Sequence, residues 1–277
     1  MRFSVVTPVH NGMPHIRGCA ASVAAQTHQD REHLVHDAES TDGTVEWLRE
    51  QETIDWISEP DDGMYDAIGR GWQRADGDVL SWLNADEQYL PGTMQLVNRC
   101  LQENPEVDVV FGNYILISPD GTALAARREI PLRPWYVATG ILYAMTCTMF
   151  SRRSVVDMFG PPDTTYRIVS DREWVLRLID AGVRFLHIPE YLALFSIGSS
   201  NLSLAPDAQR ERARVAKAYS HHRGLLPPSW ARVCRCTEKL LRGCYGTRDI
   251  HYIFCDASGA RQLQARVGTR WRWNLAK

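Results

Sequence analysis

Four short apolar runs in the N-terminal third each stop at a cluster of polar side chains, with amphipathic segments between them. Phe3 to Thr7 is β-branched and runs into Pro8, Val9 and Asn11. His33 to His36 stops at Asp37, Trp56 to Ser58 stops at Glu59, and Val79 to Leu83 stops at Asn84-Ala85-Asp86-Glu87. His15 to Gln26 and Met64 to Arg74 carry apolar residues at helical spacing, and Ser40 to Thr44 supplies a turn and caps before Val45 to Leu48. Strand, helix, strand, helix predicts an α/β fold: a Rossmann-like, mainly parallel central sheet flanked by helices. Ligands of such sheets sit beyond the carboxyl ends of the strands. Three of the four clusters there are acidic, which is the first pointer to function.

The pattern continues with a helix from Thr93 to Leu101 and a strand from Val107 to Phe111, then loosens. Asn113 to Pro134 reads as a hairpin around Pro119-Asp120-Gly121 followed by a charged loop, and Cys147 to Ser151 as a buried strand. Asp171 to Ala181 reads as a helix ended by Gly182, and Phe185 to Leu194 as strand. From Pro206 the chain is Arg-rich and helical in pattern. The expected organisation is a catalytic domain over 1–205, divided near 111, and a mainly helical extension over 206–277.

Lys+Arg 31 against Asp+Glu 33 leaves a net charge of -2, so nothing global favours nucleic acid as a partner. No apolar stretch approaches the roughly 20 residues of a membrane span. The N-terminus turns polar too soon for a signal peptide, so the expected compartment is the cytoplasm. Seven scattered cysteines suit reduced thiols. Cys234, Cys236, Cys244 and Cys255, with His251, allow two readings: buried thiols or a zinc site, for which Cys-x-Cys is tight.

Ser4-Val5-Val6-Thr7-Pro8-Val9-His10-Asn11-Gly12, Gln26-Thr27, and Asp37 with Ser40-Thr41-Asp42-Gly43-Thr44 resemble the opening of family 2 glycosyltransferases of the GT-A fold. Ser58-Glu59-Pro60-Asp61-Asp62-Gly63-Met64-Tyr65-Asp66-Ala67 resembles a signature of bacterial polysaccharide-building members, including colanic-acid-type enzymes. Trp82-Leu83-Asn84-Ala85-Asp86-Glu87 is similar to the family's DXD element, and Tyr166 to Leu178 to the segment with its catalytic base. The ordered matches span roughly residues 3–203. The sequence departs from the family where Asn84 replaces the first Asp of DXD, Glu87 follows Asp86 in place of a second Asp, and Ser170 precedes the base. Gly69 and Thr146-Cys147 also differ from common family residues.

The resemblance implies an inverting, metal-dependent transfer of a sugar from a UDP-, GDP- or dTDP-sugar to an acceptor hydroxyl, in surface polysaccharide or glycolipid assembly. The acceptor would be a glycan or lipid-linked glycan. A pyrophosphate leaving group gathers negative charge, which a hard cation held by carboxylates offsets. Asp86 is the expected ligand for Mn²⁺ or Mg²⁺, with Asn84 and Ala85 beside the donor. Asp37 is expected to contact the nucleoside, with Thr7, Pro8, Val9, Asn11 and Glu39 lining its pocket and Asp66 assisting from the next helix. Asp171 is the expected general base, although an Asp in a first turn also simply favours the helix dipole.

Blander roles are expected nearby. Asp42 reads as a turn cap, Arg177 as a structural partner or phosphate contact, His187 as a satisfied histidine, and Asp61 and Asp62 as either loop or donor contacts. Cations and aromatics in Trp230 to Arg242 and Arg266 to Trp273 suit a helix on an anionic membrane face, a helix packed on the domain, or a homodimer contact. The competing functions are a catalytically impaired sugar-nucleotide scaffold and a nucleotidyltransferase, though the latter's Gly-rich phosphate loop is missing after the first strand. No G-x-G-x-x-G follows that strand either, which disfavours a dinucleotide dehydrogenase.

Overall fold

A computed structural model describes residues 1–197, 207–223 and 227–269. Strand β1 (Phe3–Val9) is wholly buried and bonded on both edges. It pairs in parallel with β2 (Arg31–Asp37) from Phe3 opposite Arg31 to Val9 opposite Asp37. On its other side β4 (Val79–Trp82) is parallel too, and β3 (Asp55–Ser58) lies parallel outside β2. Helices α1 (His15–Ala24), α2 (Thr44–Arg49) and α3 (Met64–Arg74) are the crossovers that parallel pairing requires. Helix α3 packs tightly on β1, since a Cβ at Gly71 would come within 2.4 Å of Val6 Cγ1.

Beyond β4 the sheet changes character. The strand order is β3-β2-β1-β4-β8-β6-β9-β5, with β7 on β6. Here β5 is Gln88–Tyr89, β6 Val109–Ile117, β7 Ala123–Arg127, β8 Phe150–Arg152 and β9 Phe185–Ser196, and α4 (Thr93–Glu103) precedes β6. β8 is antiparallel to both β4 and β6, and β6 with β7 forms the hairpin expected around Pro119 to Gly121. The α/β class holds: β3-β2-β1-β4 are all parallel and β9 runs parallel to β6, while β7 and β8 are antiparallel to β6. The reason is local: β7 follows β6 by a tight turn and β8 returns from a short 3-10 turn at Thr146–Thr148, so neither has the helical crossover of a parallel neighbour.

Helices α5 (Pro134–Ala138), α6 (Arg153–Phe159) and α7 (Ser170–Asp180) cover this second half. Trp72 of α3, Trp82 of β4 and Trp174 of α7 meet in one cluster with ring centroids 5.3, 5.5 and 5.7 Å apart, each almost fully buried.

The C-terminal segment begins with the expected helices, α8 (Asp207–Ala218) and α9 (Pro228–Leu241). It then forms a β-hairpin, β10 (Thr247–Asp256) with β11 (Gly259–Gly268), that a mainly helical reading did not include. Alternation in Ile250, Tyr252 and Phe254 places these side chains in a small core with Ile115, Ile117 and Leu194. The hairpin backbone lies against α1, where a Cβ at Gly18 would stand 2.3 Å from the Cys255 carbonyl oxygen. Gln88 bonds both the N–H and the C=O of Cys255, at 2.8 and 2.7 Å. The segment from Arg270 to Trp273 lies outside the described residues.

Helix α9 is fastened by a buried ion group. Glu129 accepts from Lys239 Nζ at 2.9 Å and from Arg235 at 2.5 Å, and the Glu129 and Lys239 side chains are each 2% exposed. Removing one member of such a group leaves charge uncompensated in a low-dielectric interior. Glu129→Ala is expected to lower the unfolding free energy by about 3–5 kcal/mol in urea titrations. A loss within the range of a surface pair, under about 1 kcal/mol, would show that other contacts hold α9.

Candidate active site

The carboxyl ends of β1, β2 and β4 lie side by side, and their loops interlock. Asn11 and Glu39 both adopt left-handed backbone, at φ 52° and 53°, a conformation that non-glycine residues hold only where surroundings impose it. Asn11 Oδ1 accepts the Thr41 N–H at 2.9 Å, and the Asn11 N–H donates to Ser40 Oγ at 2.7 Å. Asp42 is the turn cap expected of it, accepting from Thr44 and from the Met13 N–H.

Asp37 is fully buried at the end of β2. Its Oδ2 accepts the Ser40 N–H at 3.0 Å and the Ser58 hydroxyl at 2.6 Å, while its Oδ1 is buried with no hydrogen-bond partner. A buried, unpaired carboxylate oxygen is costly in a folded chain and marks a place for a donor from outside. Thr7, Pro8 and Val9 are buried as well. The Thr7 hydroxyl faces His33 at 2.9 Å and Cys19, and Val9 packs with Val35 and Leu48. The Thr7 and Val9 side chains therefore brace the loop from beneath. Glu39 is exposed at the rim.

The Asn84-Ala85-Asp86-Glu87 turn leaves β4 next to this loop, and a Cβ at Gly12 would meet Ala85 Cβ at 3.5 Å. Glu87 closes the turn by accepting the Asn84 N–H at 2.8 Å. Burial and the neighbouring Asp86 charge push its pKa up to about 8, and burial raises that of Asp86. Asn84 Oδ1 and Glu87 Oε1 are buried without partners. Adjacent carboxylates with raised pKa values and unpaired oxygens form a site short of positive charge, and hard divalent cations prefer oxygen ligands of this kind. The donor set thus fits a metal. Asp86 opens onto a cleft of about 570 Å³ whose walls include His15, Gln88, Pro119, Phe254 and Arg261, so the C-terminal hairpin forms one side of it.

Asp66 is tied back. It pairs with Arg70 at 2.7 Å, accepts the Asp62 N–H, and shares Arg70 with Glu59, which staples the Glu59 to Gly63 loop to α3. Asp171 is not among the residues lining the cleft beside Asp86; it lies in the first turn of α7, with Arg172 on its own helix and Tyr65 of α3 beside it. Burial raises its pKa to about 6 against the opposing pull of Arg172 and Tyr65. Arg177 is structural: it bonds Glu173 and the carbonyls of Phe159 and Pro161. His187 meets Asn113 Oδ1 at 3.0 Å. Among the described residues Cys234, Cys236, Cys244, Cys255 and His251 form no ligand group.

Sequence reasoning missed the supporting residues. Ser58 was visible only as part of a motif, yet its hydroxyl holds Asp37. Tyr65 too was visible only within that motif, and it flanks Asp171. Asp37-x-x-Ser40 carries a usable signal, because an Asp side chain commonly accepts a nearby main-chain N–H in a turn.

The sequence pattern of glycosyl transferase family 2 matches residues 4–158, and the chain belongs to this family of glycosyltransferases. A PGL/p-HBAD biosynthesis glycosyltransferase of Mycobacterium bovis is 28% identical over 200 residues, covering 67% of this chain and 74% of that protein. An uncharacterized glycosyltransferase of Nostoc sp. is 28% identical over 235 residues, covering 79% and 72%. Among solved structures, S. aureus TarS superposes with a TM-score of 0.64 at 15% identity, over 87% of this chain but 43% of that one. A mannosyltransferase of Pyrobaculum calidifontis, solved with GDP-Man and Mn²⁺, gives 0.57 at 18% identity, over 86% and 69%. These likenesses establish the GT-A fold.

Ser58→Ala is expected to lower the unfolding free energy by about 1 kcal/mol, as loss of a half-buried hydrogen bond to a carboxylate should. An unchanged urea midpoint would mean that Ser40 alone fixes Asp37.

Proposed function

We propose that the protein transfers a sugar from a nucleoside-diphosphate sugar to an acceptor hydroxyl with inversion, using a divalent metal, in the assembly of a surface glycan or glycolipid. The observation that carries this reading is the pairing of two features. One is the electron-rich Asn84-Ala85-Asp86-Glu87 turn beside the Asp37 pocket; the other is a half-buried carboxylate, Asp171, whose pKa desolvation raises to about 6. Further support comes from TarS solved with UDP-GlcNAc and from the Pyrobaculum enzyme with GDP-Man and Mn²⁺.

In this reading Asp37 receives the base of the nucleotide. Ser40 and Ser58 occupy Oδ2 and leave Oδ1 for one N–H, which matches the single ring N–H of uracil or thymine better than the paired donors of guanine. Asn11 and Glu39 form the rim around the nucleoside, and Thr7, Pro8, Val9 and Ala85 contribute shape and main chain. Asp86 would hold Mn²⁺ or Mg²⁺, with Asn84 next to it, and the bound cation would supply charge neutralisation for the departing diphosphate. Asp66 acts at a distance by keeping the Glu59 to Gly63 loop in place. Asp171 takes the proton of the attacking hydroxyl, a task for which a pKa just below neutrality is well matched. A single displacement needs one such base, and inversion follows. The exposed Trp230, Val233, Leu240 and Leu241 of α9 suit contact with an anionic membrane face where lipid-linked acceptors reside. No described helix is long and apolar enough to cross a membrane.

Thermal shift with UDP, dTDP and GDP, with and without Mn²⁺, tests the donor site. UDP or dTDP is expected to stabilise the protein only with the metal, and Asp86→Ala to abolish the shift. Absence of any shift at saturating nucleotide would sink the reading. Asp171→Asn is expected to keep that shift while lowering kcat by about 10²–10⁴-fold. Only the unprotonated carboxylate accepts a proton, so wild-type kcat should climb as pH rises through about 6 and level off above it. A kcat that does not change across that range would remove Asp171 from the role.

A further inference from the structure

Helix α7 has no side-chain cap at its N-terminus. The three residues leading into it, Arg167, Ile168 and Val169, direct their N–H groups to one carboxylate on α8. Glu211 Oε1 accepts from Arg167 at 2.8 Å, and Oε2 accepts from Ile168 at 2.8 Å and Val169 at 3.2 Å. Three amides on one charged acceptor make a stiff joint, since hydrogen bonds to an ionised group are about twice as strong as neutral ones. The joint sits directly before Ser170 and Asp171. The Ile168 peptide is held from both ends: Glu211 takes its N–H, and its carbonyl takes the Tyr65 hydroxyl at 3.3 Å. Tyr65 is also the group from α3 that faces Asp171.

Helix α8 and the turn after it run along α7 and fasten it again further on. Tyr219 donates to Glu173 at 2.7 Å, and His221 and His222 both bond Asp180 at the far end. Arg214 lies over the Tyr166 ring at 4.6 Å, at the start of the same approach loop. Glu211 is the one contact of the set that holds the backbone leading straight into Asp171.

We propose that Glu211 is a positioning residue for sugar transfer: by holding the amides of residues 167–169 it sets the depth and orientation of Asp171. Helix α8, outside the segment that matches the family pattern, is then part of the catalytic apparatus. The proposal rests on the reading of Asp171 as the base. The titratable groups that face Asp171 are Tyr65 from α3 and Arg172 on its own helix, with Glu211 of α8 acting on Tyr65. If the joint loosens, Asp171 gains access to water, and the burial that raises its pKa is relieved. Its titration then moves down.

The test uses the full chain and compares Glu211→Ala, Glu211→Gln and Tyr219→Phe with wild type. Amide hydrogen exchange at residues 167–169 and the Asp171 carboxyl titration by NMR need no knowledge of the acceptor. Release of UDP from UDP-GlcNAc in the presence of Mn²⁺ reports turnover. In Glu211→Ala, exchange at 167–169 is expected to rise by about 100-fold. The Asp171 titration should fall from about 6 toward the ordinary carboxylate range, and kcat should drop by about 10–100-fold. Binding of UDP with Mn²⁺ should stay within about threefold. Glu211→Gln keeps one acceptor oxygen and should fall between, which also serves if the alanine variant does not fold. Tyr219→Phe loosens the same pair of helices elsewhere and should leave the Asp171 titration where it is. Unchanged exchange and titration in Glu211→Ala, or an equal change in Tyr219→Phe, would overturn the proposal. Turnover retained in Asp171→Asn would instead overturn the base reading, whatever the Glu211 variants do.

Discussion

Three indole rings hold β4, α3 and α7 in register. Trp82 is on β4, two residues before Asn84; Trp174 is on α7, three residues after Asp171; Trp72 ends the helix that Tyr65 and Asp66 begin. Because the rings touch mutually, β4, α3 and α7 cannot shift independently without opening a gap among large side chains in a close-packed interior. Indole N–H groups fix the rotation as well: Trp72 donates to the Ser81 carbonyl and Trp174 to that of Gly160. The metal-type turn and the candidate base thus stand on elements joined by one rigid contact. In the proposed mechanism, a displacement that uses both groups depends on that rigidity.

Around this frame the protein treats its carboxylates in different ways. Asp37 is stabilised by two donors on one oxygen, and Asp66 by an arginine. Asp171 is left with burial against it, which places its pKa near 6. Burial raises the pKa of Asp86 against the pull of His15, and burial with the Asp86 charge raises that of Glu87. An interior that neutralises other acids and leaves one adjacent pair exposed to its own repulsion has a localised deficit of positive charge. In the proposed mechanism a ligand cation would offset that deficit and also serve a pyrophosphate leaving group.

The parallel half of the fold was legible because each strand there ends in a polar cluster and each interval has helical spacing. Thr7 to Asn11, Asp37 to Ser40 and Asn84 to Asp86 accordingly come together at the carboxyl ends of β1, β2 and β4. The second half was less legible, since short antiparallel strands such as Gln88–Tyr89 and Phe150–Arg152 carry too few residues for a period to appear. The hairpin from Thr247 to Gly268 was missed for another reason. Its outer face is polar and charged, so the whole stretch read with the Arg-rich helices before it. Thr7 illustrates a limit of motif reading: position along a strand end was clear, but only the pleat shows that its hydroxyl turns to His33. Glu211 could not be found from spacing at all, because its partners are backbone amides about forty residues away.

The family pattern ends at residue 158, ahead of Asp171, and this boundary has a physical meaning. Everything that meets the nucleotide and diphosphate in the proposed mechanism lies before it, on strands whose ends are fixed by parallel pairing. Beyond it lie Asp171 on α7, then β9, α8 and the hairpin that walls the cleft beside Asp86. The elements beyond the boundary are held by specific contacts, such as Glu129 with Arg235 and Lys239, or Gln88 with Cys255. A buried ion group contributes modest net stability compared with apolar packing, but it accepts only one geometry. Attaching α9 in this way sets its rotation on the domain while the exposed face with Trp230, Val233 and Leu241 remains free to vary.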